Sequence, residues 1–374
     1  MINNSMFITN SGIDQFSGGG IVSYNLIKAL QQCSELKCIL SNQKFKDNKY
    51  NGIPAFSLNH LDYGYTPPKN QPPWRPTPFF QDYIAYNHIP DEPIELVQTY
   101  ACPFGLTIEK LKKNNFCKIV ADLAPHNIDI SKEEHIRFTK EYPFPHLTDP
   151  WLLKLYMRHL CLADVVVVHS HSSADYIKKT ADLKNDPVVI PHGCNLPTEI
   201  PVFPERFTPG YFGALGIDKG ISYLIDGWLN CPLNKDLQLL IGGRGTEAFK
   251  IPEPYASRFK TIGGVAEISE FYKQISIYIQ PSIQDGFGIT PLEAMAYGRP
   301  VIVSNGAGVS ELVTDGKDGF VVPMRDIKAI RDKIMYYYDN PSEIKRMGQE
   351  ARKTAEKYTW KQVLGEYVDL WQRI

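Results

Sequence analysis

The chain has 374 residues, more than one hydrophobic core usually serves, so two domains are expected. Its 43% hydrophobic and 22% charged residues are typical of a globular protein, and 40 basic against 41 acidic residues leave a formal net charge of -1. This balance gives no electrostatic reason to expect a nucleic-acid partner, and no run of about 18 apolar residues indicates a membrane-spanning helix.

The N-terminal segment has neither the basic start nor the apolar centre of a signal peptide, and its residues MFIT are typical of a first strand. The seven cysteines are scattered and include no C-x-x-C pair. Reduced thiols in a cytoplasmic protein are therefore expected, rather than disulfides or a zinc site.

Short apolar runs rich in valine and isoleucine alternate with longer amphipathic stretches along almost the whole chain. The apolar runs lie at 117–124, 164–170, 187–193, 237–243 and 276–282, and helical patterns lie at 20–32, 152–163 and 219–230. Continuous apolar runs suit parallel strands that are buried on both faces. The alternation of such strands with helices predicts doubly wound α/β sheets.

The proline-rich stretch 195–210 predicts a domain boundary. We expect a first domain at 1–198, a second at 199–356, and a closing helix at 357–374 that packs back on the first. The segment 63–93 departs from the pattern, because its many prolines exclude a helix interior or a central strand. Two interpretations stay open for it: an ordered surface loop with its rings packed down, or a lid that faces the acceptor.

Several catalytic motifs are missing from the sequence, among them D-x-D, H-E-x-x-H, G-x-S-x-G and the P-loop pattern. What the second half offers instead is glycine-rich turns, each between a predicted strand and a predicted helix. Glycines allow close backbone approach, and a helix N-terminus presents unpaired N–H groups to an anion. In the first turn, Lys219 between Gly213 and Gly220 is a suitable cation for a phosphate, although a surface lysine beside a turn is the commoner explanation.

The second turn, QDGFGITPLEAMA (284–296), places Asp285 and Glu293 on either side of two glycines. Thr290 as N-cap, Pro291 as the first helical residue and Glu293 two positions later match a capping box, which explains Glu293 without chemistry. Asp285 has no such local role. It is predicted at the carboxyl end of a strand, where ligands bind in open α/β sheets.

These residues match a known family. The stretch PSIQDGFGITPLEAMAYGRPVIVSNGAGVSELVTDGKDGFVVP (281–323) resembles the nucleotide-sugar-binding region of retaining glycosyltransferases of family 4, the glycosyl transferases group 1. The segments at 18–30 and 211–228 are similar to the family's first glycine-rich loop and to the start of its C-terminal domain. The resemblance implies the GT-B fold, an α/β architecture of two Rossmann-like, doubly wound domains that face each other across a cleft.

The resemblance also implies roles for individual residues. The catalytic group would be His126 beside the reacting sugar carbon, Asp285 near the donor sugar and Lys219 at the diphosphate. The donor-binding group adds Glu293 at the ribose hydroxyls and Val265 near the base. Its remaining members offer their backbone at the turns: Gly19, Gly20, Gly213, Gly286, Phe287, Gly288, Ile289 and Thr290.

The implied activity is the retaining, metal-independent transfer of a sugar from a UDP- or GDP-sugar to a glycan, lipid-linked or other hydroxyl acceptor. No cofactor is expected, and whether the protein makes peripheral contact with the inner face of a membrane stays open. Two departures from the family pattern keep a weakly active or inactive partner subunit open as an alternative. Asp285 replaces a glutamate, and Ala214 stands where the family often has arginine. Arg244 and Arg299 are candidates for the missing cation, with Arg299 expected at the surface.

Overall fold

The computed structural model describes residues 2–9, 11, 13, 18–41, 43–58, 76–101, 104–114, 117–125, 127–140, 150–234, 236–243, 246 and 254–374. The predicted catalytic residue His126 and the candidate cation Arg244 therefore lie outside the described residues. The chain divides into two compact units. The first comprises Met1–Pro125, Pro143–Pro191 and Val363–Ile374, and the second comprises His126–Tyr142 and His192–Gln362.

Fourteen strands are described, and they fall into two sheets. The strands are β1 (Asn4–Thr9), β2 (Glu35–Ser41), β3 (Lys49–Tyr50), β4 (Ile53–Ser57), β5 (Leu96–Tyr100), β6 (Lys118–Asp122), β7 (Val165–Val168), β8 (Val188–Val189), β9 (Pro209–Phe212), β10 (Leu239–Gly242), β11 (Phe259–Thr261), β12 (Ile277–Gln280), β13 (Val301–Ser304) and β14 (Gly319–Val322).

Twelve α-helices are described between and after these strands. The helices are α1 (Gly18–Cys33), α2 (Pro76–Asn87), α3 (Gly105–Asn114), α4 (Ile128–Thr139), α5 (Pro150–Leu162), α6 (His171–Thr180), α7 (Ile221–Leu229), α8 (Ser269–Tyr272), α9 (Ile289–Ala296), α10 (Ile327–Asp339), α11 (Pro341–Ala355) and α12 (Trp360–Arg373). None of them combines the length and the apolar character needed to cross a bilayer.

The sheet of the first unit has the order β3-β4-β2-β1-β5-β6-β7-β8, and all its pairs are parallel except β3 with β4. The C-terminal helix α12 belongs to this unit from Val363 onward. Its Tyr367 hydroxyl donates to Asp122 Oδ2 at 2.5 Å, and its Trp371 Nε1 donates to Gln98 Oε1 at 2.9 Å. Both acceptors are fully buried, so these bonds fasten the end of the chain to β5 and β6.

The sheet of the second unit is entirely parallel and has the order β11-β10-β9-β12-β13-β14. The chain moves outward from β9 to β11, returns to β12 beside β9, and moves outward again on the other side. This is the strand order of a Rossmann fold. The predicted α/β class with doubly wound sheets is confirmed.

The strands of this sheet are buried on both faces, as their continuous apolar runs predicted. Along β12, Ile277 and Ile279 pack in one core cluster while Tyr278 between them packs in another. Successive side chains of a strand point to opposite faces, so the two clusters are the two layers of helices on the sheet.

The segment 63–93 is in part regular, which corrects the prediction of an irregular loop. Residues 76–87 form α2, whose Pro76 and Pro78 occupy the first turn. Prolines are tolerated there because the first N–H groups of a helix have no intrahelical partner. Asp82 of this helix is fully buried and accepts hydrogen bonds from the backbone N–H groups of Leu106 and Thr107. The part of the segment before residue 76 lies outside the described residues.

Candidate functional site

The carboxyl ends of β9 and β12 form the switch point of the second sheet. These two strands are neighbours, and the chain leaves them toward opposite sides, to β10 and to β13. Loops that diverge in this way leave a crevice beyond the strand ends, where ligands of open α/β sheets bind. The predicted residues Lys219 and Asp285 lie in the loops that follow β9 and β12, respectively.

Lys219 ends a short 3-10 helix, Ile217–Lys219, and Gly220 after it has a φ of 68°. A Cβ on Gly220 would lie 1.9 Å from the carbonyl oxygen of Pro281, so only glycine allows the two loops to approach so closely. This approach brings Lys219 Nζ to 2.5 Å from Asp285 Oδ2, with side chains that are 33% and 13% exposed. The structure thus brings together the two side chains that the sequence placed on separate turns.

Asp285 has a local role after all, which corrects the expectation that it had none. Besides the ammonium group of Lys219, its Oδ2 accepts a hydrogen bond from Gln280 Nε2 at 3.1 Å. Gln280 is 3% exposed, and its Oε1 accepts in turn from the hydroxyls of Thr290 at 2.7 Å and Tyr278 at 2.8 Å. The carboxylate is therefore fixed from the protein interior by a network that reaches into the start of α9.

The helix α9 begins at Ile289, and its N-cap is Gly288 with a φ of 90°. The predicted capping box is wrong. Thr290 lies inside the first turn, and its hydroxyl bonds to Gln280 instead of to backbone N–H groups. Glycine accounts for the earlier start, because it adopts the left-handed conformation that turns the chain into the helix. The N–H groups of Ile289 and Thr290, at the first two helical positions, have no intrahelical partner.

Glu293 is consequently not a capping residue. It is half-buried, and its Oε2 accepts a hydrogen bond at 3.3 Å from the hydroxyl of Tyr272, which also lies 3.0 Å from the carbonyl oxygen of Thr290. Burial raises the pKa of the Glu293 carboxyl to about 7, while the hydrogen bond from Tyr272 acts in the opposite direction. Glu293 therefore changes its charge near neutral pH, where a hydrogen-bonding ligand can shift its protonation.

The helix α4 begins two residues after His126 and packs within the second unit. Its Ser131 hydroxyl donates to Asp218 Oδ2 at 3.2 Å, and the backbone oxygen of Asp218 accepts from the N–H of Ile283 at 2.8 Å. Further along α4, the fully buried Glu134 accepts from Arg325 Nε at 2.7 Å. The bond of Ser131 thus ties α4 to the loop that carries Lys219, and the bond of Glu134 ties it to the segment that follows β14.

The structure places the remaining predicted residues at several different positions. The N–H of Gly213 donates to the carbonyl of Gly242 at 3.0 Å, which places Gly213 at the same sheet edge as Lys219. Val265 is half-buried in the loop after β11, and Phe287 is 2% exposed against the His192 ring. Gly286 lies between Asp285 and Phe287.

Gly19 and Gly20 lie in the first turn of α1, in the first unit. Their predicted contacts with a donor stay predictions.

Arg299 is not at the surface, contrary to expectation. It is fully buried, donates from Nε to the carbonyl of Tyr272 at 2.9 Å, and lies 4.3 Å from the ring centroid of Phe203. Burial lowers its guanidinium pKa to about 10. The described contacts of Arg299 are internal, so they assign it a structural role.

Three residues of this network were missed by sequence reasoning: Tyr272, Tyr278 and Gln280. Gln280 gave a usable signal, because it is a polar residue in the apolar run SIYIQPS. The tyrosines gave none, since apolar packing alone explains an aromatic ring in a strand or helix. Within the described residues, no group of three or more histidine, cysteine, aspartate or glutamate side chains is placed to hold a metal ion.

The chain is similar to known proteins in sequence and in fold. The model of the family "Glycosyl transferases group 1" matches residues 199–354, which contain the switch point. An uncharacterised glycosyltransferase of Methanocaldococcus jannaschii is 25% identical over 357 residues, covering 91% of both chains.

Two solved structures share the fold. Sucrose-phosphate synthase from Thermosynechococcus elongatus has a TM-score of 0.79 at 19% identity, with 99% of this chain and 98% of that chain covered. The Anabaena protein HepE, solved in complex with UDP-glucose, has a TM-score of 0.70 at 16% identity, with 99% of this chain and 100% of that chain covered. The matched region at the switch point and the shared two-domain α/β fold thus make this chain similar to the glycosyltransferases of group 1.

Proposed function

We propose that the protein is a retaining, metal-independent glycosyltransferase of family 4 that uses a nucleotide-diphosphate sugar as donor. The observation that carries the proposal is the convergence of Lys219 with the start of α9 at the switch point of the second sheet. An ammonium group near helix N–H groups that have no intrahelical partner is suited to a diphosphate, since both complement negative charge. The UDP-glucose bound to the structural relative HepE supports a UDP-sugar, and a GDP-sugar is the second candidate.

Transfer breaks the bond between the anomeric carbon and the donor's β-phosphate oxygen and forms a bond to the acceptor oxygen. The acceptor's proton passes to the leaving diphosphate, and retention follows when the acceptor attacks from the face that the diphosphate leaves. Negative charge on the diphosphate grows as its bond breaks. Lys219 and the N–H groups of Ile289 and Thr290 therefore stabilise the transition state more than the bound donor, which accelerates the chemical step.

Glu293 is proposed to accept hydrogen bonds from the ribose hydroxyls, for which its carboxylate form is suited. The acceptor is proposed to be a hydroxyl of a glycan or of a lipid-linked sugar. The absence of a D-x-D sequence supports transfer without a metal, because this pair is the simplest carboxylate arrangement for a metal–diphosphate.

A donor screen tests the proposal on the full chain. We expect thermal stabilisation by UDP- or GDP-sugars, compared with ADP-sugars, and release of the nucleoside diphosphate in the presence of acceptor. Lys219→Ala is expected to lower kcat at least 100-fold. Lys112→Ala, which removes a lysine paired with Asp164 in the first unit, is the matched control and leaves kcat unchanged.

Two further measurements address the finer parts of the proposal. The anomeric configuration of the product, determined by NMR, should equal that of the donor, and an inverted product refutes retention. Activity should persist in excess EDTA, and its loss refutes metal independence. If no nucleotide stabilises the protein and none is released from any donor, the proposed function is wrong.

A further inference from the structure

The ammonium group of Lys219 is already paired with a carboxylate in this structure. Its Nζ lies 2.5 Å from Asp285 Oδ2, and only 13% of the Asp285 side chain is exposed. The two side chains together carry no formal net charge, so an anion that approaches Lys219 also approaches a negative charge. Because the pair is partly shielded from solvent, salt screens this repulsion less than it screens an exposed pair.

Hydrogen bonds fix both the side chain and the backbone of Asp285. Gln280 Nε2 donates to the same Oδ2 at 3.1 Å, from a side chain that is 3% exposed. The backbone of Asp285 is fixed as well, because its N–H donates to Gly306 at 2.9 Å and its carbonyl accepts from Gly308 at 3.0 Å. The carboxylate is thus hydrogen-bonded to the lysine on one side and to the protein interior on the other.

We infer that Asp285 is a positioning residue, which orients Lys219 and cancels part of its charge toward a bound nucleoside diphosphate. The inference rests on the proposed function. A lysine has three N–H donors, so Lys219 can keep its bond to Asp285 and still contact phosphate oxygens. The carboxylate weakens the binding of donor and product alike, while the lysine remains in place for the charge that develops on transfer. The consequence of this weaker binding is faster release of the nucleoside diphosphate.

This role differs from a direct contact between Asp285 and the donor sugar, which the family resemblance implies. A sugar contact changes the affinity for a nucleotide sugar but leaves that for the free nucleoside diphosphate unaltered. A charge-cancelling role changes the affinity for the free nucleoside diphosphate as well. The free diphosphate is therefore the ligand that separates the two roles.

The experiment measures the Kd of UDP and of GDP for the full chain by calorimetry at low salt. Asp285→Asn is expected to bind the nucleoside diphosphate about tenfold tighter, because the repulsion is gone, and to turn over more slowly as release becomes limiting. Asp285→Glu restores the charge and is expected to keep the wild-type Kd. Asp164→Asn breaks the Lys112 ion pair, raises the net charge equally, and is the matched control with unchanged Kd.

The outcomes are distinguishable. An unchanged or weaker affinity of Asp285→Asn for the free diphosphate overturns the inference, whereas no binding of UDP or GDP by the wild type refutes the proposed function. If Asp285→Asn does not fold, Lys219→Met in the otherwise wild-type chain gives the second test. Because loss of the lysine leaves the Asp285 carboxylate uncompensated beside the ligand, Lys219→Met should weaken UDP affinity at least tenfold, and a smaller loss contradicts the inference.

Discussion

The protonation of Glu293 makes a specific prediction about stability and pH. Its carboxyl pKa is about 7 in the folded protein against an ordinary 4.5, chiefly because of burial. Below pH 4.5 the group is protonated in both folded and unfolded chains, and above pH 7 it is ionised in both. Between these values the folded state binds more protons, so this group makes the protein progressively less stable as pH rises from 4.5 to 7.

The difference between the two pKa values corresponds to about 3 kcal/mol in the free energy of unfolding above pH 7. Glu293→Gln keeps the shape of the side chain but cannot ionise. We therefore expect equal melting temperatures for variant and wild type near pH 4.5. At pH 8 the variant should melt about 6–12 °C higher, at ~2–4 °C per kcal/mol.

The assay is thermal unfolding of both proteins across pH 4.5–8, without nucleotide, at constant ionic strength. Tyr272→Phe serves as a second variant. It removes the hydroxyl that lies 3.3 Å from Glu293 Oε2 and whose hydrogen bond lowers the pKa of the carboxyl. Without this bond the pKa should rise further, so the melting temperature should fall more steeply with increasing pH. If the melting temperatures of Glu293→Gln and wild type change in parallel over this pH range, the inferred burial of the carboxyl is wrong.

Three further predictions concern the surroundings of the site. Arg299→Met should lower the melting temperature by several degrees, because it leaves the buried carbonyl group of Tyr272 unpaired, and should not change nucleotide affinity; lost affinity at unchanged stability would make Arg299 a ligand cation. Gly220→Ala should lower both stability and nucleotide affinity, because the Cβ of the alanine would clash with the carbonyl group of Pro281. Gly316→Ala is the control, since Gly316 has a similar positive φ but no atom within 4 Å of an added Cβ, and this variant should show only the cost of backbone strain. Tyr367→Phe should destabilise the protein by about 1–3 kcal/mol in chemical unfolding, because the buried Asp122 loses a hydrogen bond, and an unaltered stability would contradict that role.

Sequence reasoning identified the alternation of strands and helices and the turns that carry Lys219 and Asp285. It succeeded there because hydrophobic periodicity and glycine placement are local properties of the chain. It failed at Thr290 and Glu293, where a good local pattern for a capping box was overridden by Gly288 and by bonds to Gln280. The same limit applies to Arg299, since a charged residue is expected at the surface unless its buried partners are known.

The sequence by itself determined the α/β class, the doubly wound arrangement and the position of the glycine-rich turns at strand ends. Only the tertiary structure decided which charges meet there. Lys219 and Asp285 are 66 residues apart in the chain and become hydrogen-bonded because β9 and β12 are neighbours in the sheet. The pKa of Glu293 likewise depends on the exclusion of solvent by the residues packed around it. A local sequence pattern shows neither which strands are neighbours in the sheet nor how far a side chain is removed from solvent.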